Sequence, residues 1–287
     1  MQSKLESLFR DGRIWCAEPD SSKKSGEGVF FHSGELLSAN ISSANISSAN
    51  ISADITDTKK PAAPFGVPDI DCSLPHGGLA FGYTHEWFSS PYENTLQPSG
   101  SLLTLIAGKA LQIADEQSFI IWIGRNCWPA PYLLKKTLPK NSLQNCIFID
   151  PPDSKLLFWS IETALRSSAV LAVIACCENI SFPLSKRFSL AAKKGSSLGL
   201  FIRKEKELHV QSASCSKWLL KPALSPSLSP RWDLELVKLK GSRSKQTRWT
   251  IEYYHELKDE QISVHIPSDV VSKPGSEAAP AAKQKRG

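Results

Sequence analysis

The last third of the chain holds the residues with the most chemical potential. Arg231, Trp232, Lys238, Lys240, Arg243, Lys245, Arg248 and Trp249 interleave cations with aromatic rings. Guanidinium and ammonium groups neutralise phosphates and release counterions, while indole rings stack on exposed bases. The cluster is therefore a candidate surface for single-stranded DNA or a partner. Trp128, between Cys127 and Pro129 on a loop, is a further candidate contact residue. The same cations would equally suit a solvated edge strand defended against pairing with other chains, and both readings stand. The tail's Lys283, Lys285 and Arg286 carry the same ambiguity.

Other reactive side chains fit quieter roles. Cys176 and Cys177 adjoin Glu178, but neighbouring cysteines share a tetrahedral metal site poorly and no histidine is close, so buried packing is expected. Asp69 and Asp71 lie in a proline-rich approach segment, where turn and cap roles prevail over acid–base roles. His76, beside Gly77 and Gly78, reads as a turn residue. Trp122 sits in the middle of an apolar run and reads as core. No metal, cofactor or catalytic group is expected from these patterns.

Those side chains need a framework, and hydrophobic periodicity supplies one. Residues 81–88, 118–124, 145–150, 169–175 and 198–203 read as buried strands. Residues 101–114, 131–137 and 183–194 read as helices, as does the stretch that Asp153 caps through Arg166. Buried strands alternating with amphipathic helices predict an α/β fold, a mostly parallel sheet with helices on both faces. Residues 232–240 and 248–254 alternate charged and apolar positions. They predict an antiparallel C-terminal hairpin on the sheet's edge, with the basic residues 241–247 as its loop.

The flanks differ. Leu5, Leu8 and Phe9 predict a short amphipathic helix within residues 1–15. Three tandem Ser-Ala-Asn-Ile-Ser copies span residues 38–52, about one coil of a pentapeptide β-helix and too few to bury a core. Residues 16–64 are read as a low-complexity linker, 65–255 as the folded domain and 256–287 as a mostly disordered tail.

In α/β sheets a ligand lies at the carboxyl ends of the strands, which puts residues 87–100 in the first such position. A phosphate cradle needs converging backbone amides, a lysine and a Ser/Thr hydroxyl for Mg²⁺. Residues 89–100 offer one glycine, prolines that lack an amide proton, an acidic Glu93 and no lysine. Lys109 comes two turns into the following helix, too late for the role.

The lead-in carries a resemblance. Leu74, Gly77, Gly78, Leu79, Gly82 and Glu86 match the segment leading into the nucleotide loop of RecA, and coverage extends over about residues 67–203. The departures are informative. The loop lysine and threonine are missing, Cys176-Cys177 replaces the second-motif Asp, and the strand ending Ile123-Gly-Arg-Asn126 lacks the water-activating acid. A reduced RecA-like core with Trp122-Ile123, Pro131-Tyr132 and Glu162…Leu165-Arg166-Ser167 resembles the ImuA family. That resemblance implies a RecA-like fold and a non-catalytic accessory of error-prone translesion DNA synthesis in the SOS response to DNA damage. Its implied partners are an inactive Y-family polymerase relative and an error-prone replicative-type polymerase, with RecA and single-stranded DNA left open. A divergent RecA-type ATP-binding protein and a SulA-like cell-division inhibitor are the rival readings.

Composition bounds the rest. The 287 residues carry a net charge of +6, and residues 201–287 hold 16 Lys+Arg against 10 Asp+Glu, so the whole excess lies there. No apolar run approaches the ~20 residues of a membrane span. The first ten residues are charged where a signal peptide is hydrophobic. A cytoplasmic protein with reduced thiols is expected, without a membrane partner.

Overall fold

A computed structural model describes residues 11, 13–19, 29–33, 62–89, 98–114, 118–124, 127–139, 142–226, 229–241, 246–255 and 262–268. Its frame is an 11-stranded sheet. The parallel strands are β5 (Thr84–Ser89), β6 (Phe119–Ile123), β7 (Cys146–Ile149), β8 (Val170–Cys176), β9 (Leu198–Lys204) and β10 (Ser216–Ala223). They lie in the order β10-β5-β9-β8-β6-β7. Antiparallel strands extend both sides. Beyond β10 come β11 (Arg231–Leu239), β12 (Arg248–His255) and β13 (Ile262–His265). Beyond β7 come β1 (Ile14–Pro19) and β2 (Val29–Ser33). The fold is α/β, with a mostly parallel sheet and antiparallel C-terminal strands.

Two-sided burial explains the strand composition. In β6, Ile120 and Trp122 pack on one face with α2 (Pro98–Gln112) and α3 (Pro131–Thr137), through Leu102, Ile106 and Leu134. Ile121 and Ile123 point the other way, onto α4 (Ser154–Arg166) and α5 (Phe182–Gly195) through Ile161, Leu165 and Phe188. A strand covered on both faces has no polar side to show, so it reads as a continuous apolar run. Trp122 is fully buried and stacks on Phe148 at 5.0 Å. Asp153 caps α4 by accepting from Leu156 N at 2.8 Å.

Several boundaries depart from expectation. β10 has no strand signature in its sequence, since Ser-Lys-Trp-Leu-Leu-Lys-Pro-Ala neither alternates cleanly nor forms a long apolar run. It lies between β5 and β11, so the hairpin is one strand further out than expected, and β13 takes the edge. β13 falls within the stretch read as tail. β1 and β2, with β3 (Ala62–Ala63) paired to β4 (Leu79–Ala80), fall within the helix and linker stretches. These short strands gain their stability from pairing with distant partners, as Ile14 does with Ile149, which local composition does not register. The expected helix around Leu5, Leu8 and Phe9 and the Ser-Ala-Asn-Ile-Ser repeats lie outside the described residues. Among the described residues no helix is long and apolar enough to cross a membrane.

The helix expected over 183–194 extends to Gly195, and Ser196 takes the left-handed conformation at φ 53°. A Cβ on Gly195 would lie 2.2 Å from the Leu165 carbonyl oxygen. Its smallness therefore lets α5 press against the end of α4.

Candidate functional site

On one face of the sheet, Glu86 of β5 enters a closed set of buried ion pairs with β9 and β10. Arg203 donates to it from Nη1 at 2.8 Å, and Ser212 Oγ donates at 2.7 Å. Arg203 also donates from Nε and Nη2 to Glu207 at 3.0 and 2.8 Å. Lys217 Nζ lies 3.9 Å from Glu86 and donates to the carbonyls of Leu208, at 2.9 Å, and Val210. Two carboxylates thus meet two cations, and both cations sit over the Phe88 ring at 5.5 Å. Desolvation lowers the Lys217 ammonium's affinity for its proton, opposed by Glu86. All three guanidinium nitrogens donate to these two carboxylates, which ties residues 205–217 to the sheet.

The neighbouring strand ends are similarly closed. Residues 90–97, 125 and 126 lie outside the described set. Ser99 Oγ, at the start of α2, donates to Ser89 Oγ at 3.2 Å. Cys127 Sγ has the carbonyl oxygens of Ile123, Gly124 and Ile174 within reach of its single S–H, at 3.4, 3.1 and 3.4 Å. Burial pushes the Cys127 and Cys177 thiols up, and burial with nearby Glu178 pushes Cys176 up to about 11. These are protonated, packed thiols, and the described residues contain no group of three metal-ligating side chains. Lys109 lies against Gly66, where an added Cβ would be 2.4 Å from its Nζ. Eleven residues of helix, about 16 Å, separate it from the start of α2.

The C-terminal strands divide the basic cluster. Arg231 is mostly sequestered in an ion pair with Glu252 on the neighbouring strand, each side chain 9% exposed. Lys238 is half-buried and donates to Ser212 O at 2.9 Å. Arg248 is exposed and pairs with Glu235 at 3.0 Å. Lys240 is exposed at the turn after β11. Arg243 and Lys245, which follow it in sequence, lie outside the described residues. Trp232 is half-buried, edge-on to Tyr253 at 4.5 Å. Trp249 is buried against Trp218 at 6.2 Å, so it is core rather than a stacking platform. Trp128 is half-buried, edge-on to Phe148 at 5.5 Å.

The amino ends of β5 and β10 frame a cleft of about 510 Å³. It is lined by His76, Tyr83, His85, Cys215, Ser216 and Lys240 together with Leu74, Leu79 and Leu239. His85 is buried at its floor, where its Nε2–H points at the Ala80 carbonyl, 3.3 Å away. A carbonyl only accepts, so Nδ1 must accept from Ser216 Oγ at 2.7 Å. That hydroxyl in turn accepts from Trp218 Nε1 at 2.7 Å. Desolvation lowers His85 to about 4, leaving a neutral imidazole at physiological pH.

No family model matches the chain. Among curated proteins, Protein ImuA from two strains of Caulobacter vibrioides is 28% identical over 211 residues, spanning 66% of this chain and 82% of the relative. The chain is a relative of ImuA.

In this ImuA relative, the structure brings together some of the sequence-read residues and separates others. Lys240 is exposed, and Arg243 and Lys245 follow it in sequence. Arg231 and Lys238 spend their charge inside the sheet, and Trp128 faces the opposite wing, over β7. Sequence reading missed the Glu86–Arg203–Glu207–Lys217 set and the His85–Ser216 pair. The available signal was a charged or polar residue inside an apolar strand, as at Glu86 and Arg203, where burial demands a partner.

Proposed function

We propose that this protein is a non-catalytic, RecA-related accessory of error-prone translesion DNA synthesis in the DNA-damage response. It acts through protein contacts and through single-stranded DNA. Kinship with ImuA carries the reading. Its partners are an inactive Y-family polymerase relative and an error-prone replicative-type polymerase.

The chemistry supports the non-catalytic part. Glu86, the acid on the strand that leads into the expected nucleotide loop, is fully buried and engaged by Arg203, Ser212 and Lys217. A carboxylate so engaged does not activate water or organise a hydrated metal ion. Lys109, the lysine closest in sequence to that loop, is held against Gly66 and away from the strand ends.

Single-strand binding is assigned to the β11–β12 loop, with Lys240, Arg243 and Lys245 on phosphates. Charge reversal at all three should weaken binding to an oligonucleotide and flatten its salt slope. Unchanged binding would return the loop to the role of a solvated edge. Co-purification of the two polymerase-type partners with the tagged full-length chain tests the accessory role. Isothermal titration with ATP and Mg²⁺ should give no saturable heat. Mg²⁺-dependent turnover that is lost on altering residues 89–100 would overturn the non-catalytic reading.

A further inference from the structure

The cleft at the amino ends of β5 and β10 has the dimensions and lining of a ligand site. At about 510 Å³ it is too large for an inorganic anion and falls within the range of small-molecule pockets. Apolar walls from Leu74, Leu79 and Leu239 surround a small polar set. No carboxylate lines it, and its one permanent charge is Lys240, exposed at the mouth. A larger cleft on the outer strands, about 710 Å³, is lined by Asp69, Asp233 and Glu235 beside Lys221 and Arg248, and so repels anions as readily as it draws them. The floor of the smaller cleft is preformed, because the His85–Ser216–Trp218 chain of hydrogen bonds holds both side chains in place. The rings of His76 and Tyr83 add planar surface to its wall.

We propose that this cleft is a nucleotide subsite, taking one unstacked base of a single-stranded nucleic acid while Lys240 holds the adjoining phosphate. The base stacks on the ring surface of His76 and Tyr83 and fills the apolar chamber. The proposal rests on the single-strand reading above, and it places the strand across the mouth of the cleft, where the β11–β12 loop begins.

Cys215 supplies a local probe, since its half-buried thiol lines the cleft, whereas half-buried Cys176 lies at the opposite ends of the strands. The full-length protein would be titrated with a deoxythymidine oligonucleotide, an abasic strand of equal length and free deoxythymidine monophosphate. Binding would be followed by anisotropy, and thiol alkylation by residue-resolved mass spectrometry. The oligonucleotide should slow Cys215 alkylation at least five-fold and leave Cys176 unchanged, and the abasic strand should protect neither. His76→Ala should weaken the thymidine strand about five-fold or more without changing abasic binding, in line with the loss of one stacked base. Lys240→Glu should weaken both strands. Equal affinity for thymidine and abasic strands with Cys215 unprotected would overturn the subsite while leaving single-strand binding intact. Protection by the monophosphate but not by the strand would overturn it in favour of a free-nucleotide site. If no strand binds at all, the single-strand reading falls, and the subsite with it.

Discussion

His85 and Glu86 are consecutive residues of β5, both buried, yet the sheet sends them to opposite faces and to opposite chemical fates. Glu86 is enclosed by Arg203, Lys217 and Ser212. His85 meets Ala80 and Ser216 through hydrogen bonds, and desolvation by burial lowers its affinity for a proton, opposed by the Ala80 carbonyl. The charged face is sealed and structural, while the neutral face opens onto a cleft with a single cation at its mouth. Burying a titratable group thus has two solutions here, and the one without fixed charge leaves room for a ligand.

The largest effect should come from breaking the charged side. Glu86→Ala leaves Arg203 and Lys217 buried beside an unbalanced site, with an expected loss of about 3–5 kcal/mol in urea denaturation. A loss below ~1 kcal/mol would mean that the pairs are solvated and the contrast with His85 is false.

The neutral side should show itself in pH dependence. His85 is lowered from 6.5 to about 4 in the folded protein, so between these values the unfolded chain binds more protons. Stability therefore rises with pH across that window, and this residue's contribution, about 3 kcal/mol, is fully present above pH 6.5 and lost as pH falls to 4. Comparing denaturation midpoints of the wild type and His85→Gln at pH 4–7 isolates it. Parallel profiles would show that His85 does not titrate as a buried neutral group.

Smaller effects separate exposed cations from spent ones. Lys240→Glu should reduce the salt slope of single-strand binding by about one unit, through the lost and reversed phosphate contact. Arg231→Gln, whose charge is already paired with Glu252, should leave the slope unchanged. Equal changes at both positions would show that the sheet's internal pairing does not govern which cations reach a ligand. Smallest of all, Arg248→Ala removes an exposed pair with Glu235 and should cost under ~1 kcal/mol in thermal denaturation.

Legibility followed the range of the interaction. The apolar run of β6, the Asp153 cap of α4 and the α3 span 131–137 depend on neighbours within a few residues, so periodicity and capping reveal them. β10 escaped because its Trp218-Leu219-Leu220 divides between two faces of a sheet, and its parallel neighbour β5 lies far away in the chain. The basic cluster was legible as composition but not as a surface. Pairing with Glu252 and the Ser212 carbonyl withdraws Arg231 and Lys238, while Trp249 turns into the core.

The sequence by itself determined the α/β alternation, the location of the excess positive charge and the mismatch between residues 89–100 and a phosphate cradle. Each is a property of residue type and local spacing. Only the tertiary structure decided that Glu86 meets Arg203 across 117 positions and that His85 meets Ser216 across 131. Parallel pairing brings β5 beside both β9 and β10, and those two strands supply the partners that a side chain buried in a dry interior requires.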